Sequence, residues 1–254
     1  MWQGDYRFVI SSLVAKNFRV RYRSMWLGML WSLIVPLVSM TVLTFITTVI
    51  FANPGIKYHS LSILCGLVPF NFFALAWSSG TTSLLENATL VKRVPVPRHI
   101  FPMAAVFSTG TQLLVQIGLL LTGVLLFGRG VNIHWLWLPL MWALEILFVL
   151  GLALAFSAVN VYVRDTRYIV ESANTIMFWL VPIFYSFALI PSKFRLIYEV
   201  NPVAALVMMM RTVLLDGHAP VPSTLRNLVC VSLLTFTVGW LVFRKLQKGF
   251  YEYL

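Results

Sequence analysis

The side chains best suited to proton transfer or metal binding are four histidines and eight acidic residues in a chain of 254. His59, His99, His134 and His218 fall in four separate loops, and neither an HExxH pair nor a paired-carboxylate motif for a metal and a pyrophosphate is present. No GxxxxGK[ST] loop occurs either, so the chain cannot hold ATP in the phosphate-loop manner. Intrinsic catalysis is not expected, nor is a metal or cofactor bound by this chain. Cys65 and Cys230 lie in apolar runs without CxxC spacing and read as two free buried thiols.

What remains is chemistry of packing and passage. Glu145 sits in the middle of an apolar run, where an ionised carboxylate costs about 2.5–3.5 kcal/mol on insertion scales, so it needs a partner or a proton. Gln112 and Gln116, four residues apart, are placed to hydrogen-bond to it across a helix pair. Thr41, Thr44 and Thr48 recur at helical spacing beside Phe45, with Trp31 and Ser32 below them earlier in the same run. Such a stripe either packs helix on helix or faces a wet conduit. Trp179, Phe184, Tyr185 and Phe187 read either as an interfacial aromatic belt or as flat surfaces for sugar rings. The conduit expectation assigns Trp31, Thr41, Thr44, Phe45, Thr48, Trp179, Phe184 and Tyr185 to a channel lining.

The elements that position these residues follow from composition. Apolar residues make up 59% of the chain and charged residues 11%, against roughly 45–50% and 25% in soluble domains. That excludes an ordinary soluble enzyme, a disordered tail and a coiled coil, and identifies an all-α membrane protein. The net charge of +11 belongs to membrane topology rather than to nucleic-acid binding. Apolar stretches at 29–51, 61–84, 103–127, 135–159, 173–190 and 225–243 predict six spans, each near the roughly 20 residues a bilayer requires, with no room left for a second folded domain. The fifth is short and carries Pro182, so a kink or tilt is expected there. Thirteen Lys and Arg fall on one side of these spans and six on the other. Both termini are therefore expected in the cytoplasm.

Residues 1–24 alternate apolar and basic positions instead of forming a cleavable signal peptide. On a helical wheel Trp2, Tyr6, Val9, Leu13 and Val20 share one side, and Ser12, Lys16, Arg19 and Arg23 the neighbouring stripe, which predicts an amphipathic helix at the membrane surface. Arg19, Arg21 and Arg23 serve equally as topogenic charge or as an anionic headgroup site. Leu84 to Val94 predicts a short helix stopped by Pro95, with Glu86, Asn87, Lys92 and Arg93 polar and Leu90, Val91 and Val94 exposed as an apolar knob for a partner groove or the lipid surface. Between the fifth and sixth spans, Val203 to Asp216 is too short to cross a bilayer and is expected to be re-entrant or interfacial. Asn201 and Pro202 open it as cap and first turn, and Gly217 closes it.

Taken together, several segments resemble the ABC-2 type permeases that export lipid-linked polysaccharides such as O-antigen, teichoic acid and capsule. They are Arg21-Tyr22-Arg23-Ser24-Met25-Trp26-Leu27-Gly28 with Leu30-Trp31, the loop Asn87 to Pro102, Asn160-Val161-Tyr162-Val163-Arg164-Asp165-Thr166-Arg167, the Asn201-Pro202 helix, and the tail Phe243 to Leu254. The resemblance implies one transmembrane domain over 1–254, with an interface helix at 1–24, six spans within 29–243 and a cytoplasmic tail at 244–254. It further implies a homodimer in a bacterial inner membrane, bound to two copies of a separate ATPase that holds ATP and Mg, with the lipid-linked glycan passing between protomers. In that picture 1–24 and 86–97 rest on the ATPase, with Glu86, Asn87, Leu90, Val91, Lys92, Arg93 and Val94 as coupling residues. Arg19, Arg21 and Arg23 meet the lipid headgroup, Val203 to Asp216 resembles the family's extracytoplasmic gate helices, and any carbohydrate-binding module belongs to the ATPase chain. Competing expectations are an ABC-2 permease for a drug or small amphipathic lipid, a membrane-embedded acyl or glycosyl transferase, and a scaffold without transport.

Overall fold

The computed structural model describes residues 6–22, 28–50, 58–94, 96–128 and 130–253, and every regular element among them is helical. The order is α1 (Tyr6–Tyr22), α2 (Trp31–Phe45), α3 (His59–Glu86), α4 (Ala88–Arg93), α5 (Ile100–Phe127), α6 (Leu138–Tyr162), α7 (Thr166–Leu180), α8 (Ser192–Val200), α9 (Pro202–Arg211), α10 (Pro222–Leu246) and α11 (Phe250–Tyr253). A 3₁₀ turn before α2 and a wider turn after it extend that helix to Gly28–Ile50.

Among the described residues five helices are long and apolar enough to cross a membrane: Gly28–Ile50, α3, α5, Ile133–Tyr162 and Pro222–Gly249. Their burial differs sharply. In its most apolar stretch α3 is 78% buried, against 11% for the α2 span and 17% for α10, so α3 is the axis on which α2, α5, α6, α7 and α9 pack. Beside it α6 and α10 run in close contact because glycines face one another. A Cβ on Gly151 would stand 2.5 Å from the Thr235 carbonyl oxygen, and one on Gly239 would fall on the Gly151 carbonyl. Small residues let backbones approach in this way where apolar side chains find no advantage over lipid.

Two hydrophobic cores result. The larger gathers α3, α5, α6 and α9; the smaller joins Leu84, Val91, Phe101, Leu154, Ala158, Val161, Phe243 and Phe250 at the end of the bundle that carries α4. Helix α1 lies against α5 near this second core, to which it contributes Leu13.

The structure corrects the expected fifth span. Instead of a helix over 173–190, α7 begins at Thr166 and ends at Leu180, fifteen residues that reach only about 22 Å at helical rise. Pro182 cannot continue the ladder, so the chain leaves the helix at Val181 and resumes only as a 3₁₀ turn at Phe187–Leu189 and then α8. A sixth candidate crossing comes from α8 with Pro202–Asp216, bent by 97° at Asn201. The capping reading of that bend holds: Asn201 Oδ1 accepts from Val203 and Ala204 N–H, Pro202 takes the first turn, and Gly217 closes the segment at φ +72°.

Other expectations shift with burial. On α1, Tyr6 and Val20 are exposed while Val9, Ile10, Leu13, Val14 and Phe18 turn inward, so the sheltered stripe is displaced from the expected one. Cys65 is buried but Cys230 is exposed. Trp2, Arg23 and the stretch Ser24 to Leu27 lie outside the described residues, as do the side chains of Arg21 and Tyr22.

The α6–α10 contact yields a test. Gly239→Ala should lower the thermal midpoint in detergent by an amount worth about 1–3 kcal/mol of overpacking, whereas Gly118→Ala, which meets open space, should leave it unchanged. Equal tolerance of both would remove the close helix contact.

Candidate functional site

Two features stand out as sites: the elbow at α4 and the broken segment between α7 and α9. At the elbow, α3 ends at Asn87, a residue with low helix propensity whose carbonyl nevertheless accepts from Leu90 and Val91 N–H to start α4. Its buried side chain donates from Nδ2 to the Ser83 carbonyl at 2.8 Å and accepts from Lys16 Nζ at 2.6 Å. Lys16 thus ties α1 to the elbow. A cavity of ≈ 430 Å³ opens beside this bond, lined by Lys16, Asn17, Ser79, Ser83, Glu86 and Ser108 among others.

Exposure on α4 differs from the expected knob. Val91 is only 4% exposed and Leu90 is half-buried, because this face of α4 packs into the second core instead of projecting. The side chains offered outward are Glu86, Thr89, Lys92, Arg93 and Val94. Of the expected coupling residues, four are therefore surface groups and Asn87, Leu90 and Val91 are internal supports. Beyond α4, burial holds the His99 imidazole below its ordinary pKa, and the ring meets Trp240 edge-on at 5.1 Å.

The broken segment is organised by Arg211, which received no role in the sequence reading. Its guanidinium donates from Nε to the Ser62 carbonyl at 3.1 Å, from Nη1 to Tyr185 at 3.2 Å and from Nη2 to Ile183 at 2.5 Å. The signal was available: one basic residue inside the apolar run from Val203 to Leu215. Its partners were not, since they lie on α3 and on the non-helical stretch.

The expected channel-lining residues divide into two groups on different helices. On α2, Trp31, Thr41 and Phe45 are exposed together with Val38, Val42 and Val49. Thr44 turns toward α3, its hydroxyl 3.3 Å from Ser60 Oγ, and Thr48 bonds back to the Thr44 carbonyl at 2.7 Å. The buried member of the stripe is Thr47, whose hydroxyl lies 2.5 Å from His59 Nε2. Trp179, Phe184 and Tyr185 form an edge-on aromatic series with centroids 5.8 and 5.2 Å apart, and the Tyr185 hydroxyl donates to the Leu180 carbonyl at 2.9 Å. α2 packs on α3 and α5, whereas α7 packs on α3 and α6, so within one chain the two groups face out from separate flanks.

The expected bond between Glu145 and the glutamines does not form. Gln116 Nε2 donates to the Ser32 carbonyl at 3.1 Å, joining α5 to α2, while Glu145 is 3% exposed with no hydrogen-bond partner for either carboxyl oxygen among the described residues. Arg19 is exposed on α1; Arg21 lies on the same helix and Arg23 beyond it. Among the described residues no three His, Cys, Asp or Glu side chains gather closely enough to hold a metal ion.

An apolar bundle with a polar elbow at one end and a clamped helix break defines a multi-pass membrane protein. Residues 9–215 match the ABC-2 type transporter family, and the chain belongs to that family. It is 30% identical over 246 residues to the O-antigen export system permease protein RfbA of Klebsiella pneumoniae, covering 94% of this chain and 92% of that one. The RfbA protein of the same description from Myxococcus xanthus is 24% identical, covering 98% and 96% of the two chains. The polysialic acid transport protein KpsM of Escherichia coli is also 24% identical, covering 96% and 95%.

Removing the clamp should be costly. Arg211→Met bares buried carbonyls at about 1–3 kcal/mol each, so a clearly lower thermal midpoint and faster proteolysis within 181–190 are expected, with Arg211→Lys intermediate because an ammonium cannot span three acceptors as a fork does. A wild-type midpoint for Arg211→Met would contradict this assignment.

Proposed function

We propose that this chain is the membrane-spanning permease subunit of an ATP-driven exporter that carries a lipid-linked polysaccharide from the cytoplasm across the bacterial inner membrane. The observation that carries the reading is similarity along nearly the whole chain to proteins named for O-antigen export and polysialic acid transport, within the ABC-2 family. The chain lacks a phosphate-binding loop of its own. Energy therefore comes from a separate ATPase, which supplies the site for ATP and Mg and docks on the cytoplasmic elbow through Glu86, Lys92, Arg93 and Val94.

Two copies of this chain and two of the ATPase form the exporter. The exposed faces of α2 and α7, with Trp31, Thr41, Phe45 and Trp179, then line a conduit between protomers, since one chain's own helices close around α3. Both termini lie in the cytoplasm, as the basic residues require. α1 rests at the cytoplasmic membrane surface, where Arg19, Arg21 and Arg23 attract the anionic headgroup at about 1 kcal/mol per residue. α8 and Pro202–Asp216 form the re-entrant pair on the far side, held at their bend by Asn201.

Two measurements test this. Reversing Lys92 and Arg93 to Glu should weaken copurification of the neighbouring ATPase by about tenfold or more, as charge mismatch at an interface does, without changing the permease's own thermal midpoint; undiminished copurification would displace the contact. Replacing Arg19, Arg21 and Arg23 together with Gln should reduce export of polyprenyl-linked glycan in reconstituted vesicles while assembly persists. Export at the wild-type rate would end the headgroup role, and ATPase stimulation by amphipathic drugs but not by the glycan would change the substrate class.

A further inference from the structure

The chain beyond Phe243 converges with two other segments beneath the α4 elbow. Phe250 is fully buried and meets Phe243 edge-on at 5.7 Å. Both belong to the core that contains Val91 of α4, Phe101 of α5 and Val161 of α6. Arg98, in the loop that leaves α4, donates from Nη1 to the Gln247 carbonyl and lies over the Phe250 ring at 5.6 Å. Tyr162, the last residue of α6, donates to the Leu246 carbonyl at 2.6 Å and sets its ring 6.1 Å from Phe250 and 4.7 Å from Tyr253.

These bonds join the end of α10 to two neighbours: the Leu246 and Gln247 carbonyls accept from Tyr162 and Arg98, the second of them cationic as a helix C-terminus favours. The elbow helix has six residues, too few to hold its shape alone. Its stiffness must come from what it rests on: Lys16 from one side and the Phe250 platform from the other. A load on an unsupported α4 would bend the chain at Asn87 before reaching the spans.

Resting on the proposed function, we infer that the segment Phe243–Tyr253 is a strut that couples α4 to the ends of α6 and α10, so that movement imposed by the ATPase passes into the bundle instead of being absorbed at the elbow. Phe250 and Arg98 are positioning residues in this device. They touch neither nucleotide nor substrate.

The test uses the full permease–ATPase complex in vesicles and reads glycan exported per ATP hydrolysed. Phe250→Ala should keep the complex assembled and hydrolysing ATP while export per ATP falls about tenfold, the scale on which a removed coupling contact acts; Phe250→Leu should recover most of it. An unchanged ratio for Phe250→Ala in an assembled complex would overturn the inference. A second arm does not depend on how well a cavity variant folds. Cross-linking Arg98→Cys to Gln247→Cys should leave export intact if loop and tail move as one body, and arrest of export by the cross-link would also overturn it. Failure of the wild-type permease to assemble with the ATPase, or to export with ATP, would instead refute the underlying reading and is distinct from both outcomes.

Discussion

Backbone that leaves the helix inside an apolar bundle strands carbonyl oxygens, and here one guanidinium meets carbonyls of the break and of the helix beside it. Arg211 reaches Ser62 at the start of α3 and Ile183 and Tyr185 in the non-helical stretch. Without water to solvate them, such groups must be met by protein, which is why irregular backbone survives among apolar helices only where a partner is supplied. Arginine suits the task because five donors in a rigid plane can serve several acceptors, and because each hydrogen bond also spreads its charge. The clamp allows α7 to stop after fifteen residues and α9 to sink against α3, α6 and α10.

The opposite end of the bundle solves a related problem with apolar packing. α4 is short, and the chain on either side of it is interrupted by Asn87 and by prolines at 95 and 97. Its position is set by the second core beneath it and by Lys16 reaching across from α1. Hence the groups that face outward are mostly charged and the apolar ones are spent internally. One end of the bundle is thus held by a polar clamp in an apolar setting, and the other by an apolar platform under a polar surface. Between them the α6–α10 glycine contact and the buried α3 provide a shared axis.

Much of this was legible in the residues. Long apolar runs located five spans to within a few positions, because a bilayer-length helix needs only composition and length to be recognised. The Asn201–Pro202 start and the Gly217 stop were readable for a different reason: caps are local chemistry, settled within four residues. The fifth span was misplaced because the run through Pro182 stays apolar where the helix ends, and hydropathy does not register a lost backbone donor. Val91 was expected at the surface and is buried, since helical periodicity over six residues cannot say which face a neighbouring helix covers. Gln116 was expected to reach Glu145 and binds the Ser32 carbonyl instead; both are polar demands within reach of one helix face, and only the rotation and depth of α2 decide between them.

Composition, charge placement and cap residues by themselves determined that this chain is a helical membrane protein, where its principal spans run and how the segment after Asn201 begins and ends, because each depends on free energies additive along the chain. The pairing of Arg211 with the helix break, the face that α4 turns inward and the meeting of Arg98, Tyr162 and Phe250 were decided only by the tertiary structure. The carbonyls that Arg211 binds lie 149 and 28 residues from it along the chain, at Ser62 and Ile183. No local pattern encodes such contacts, since they exist only when the packing of several helices has fixed depth and rotation together.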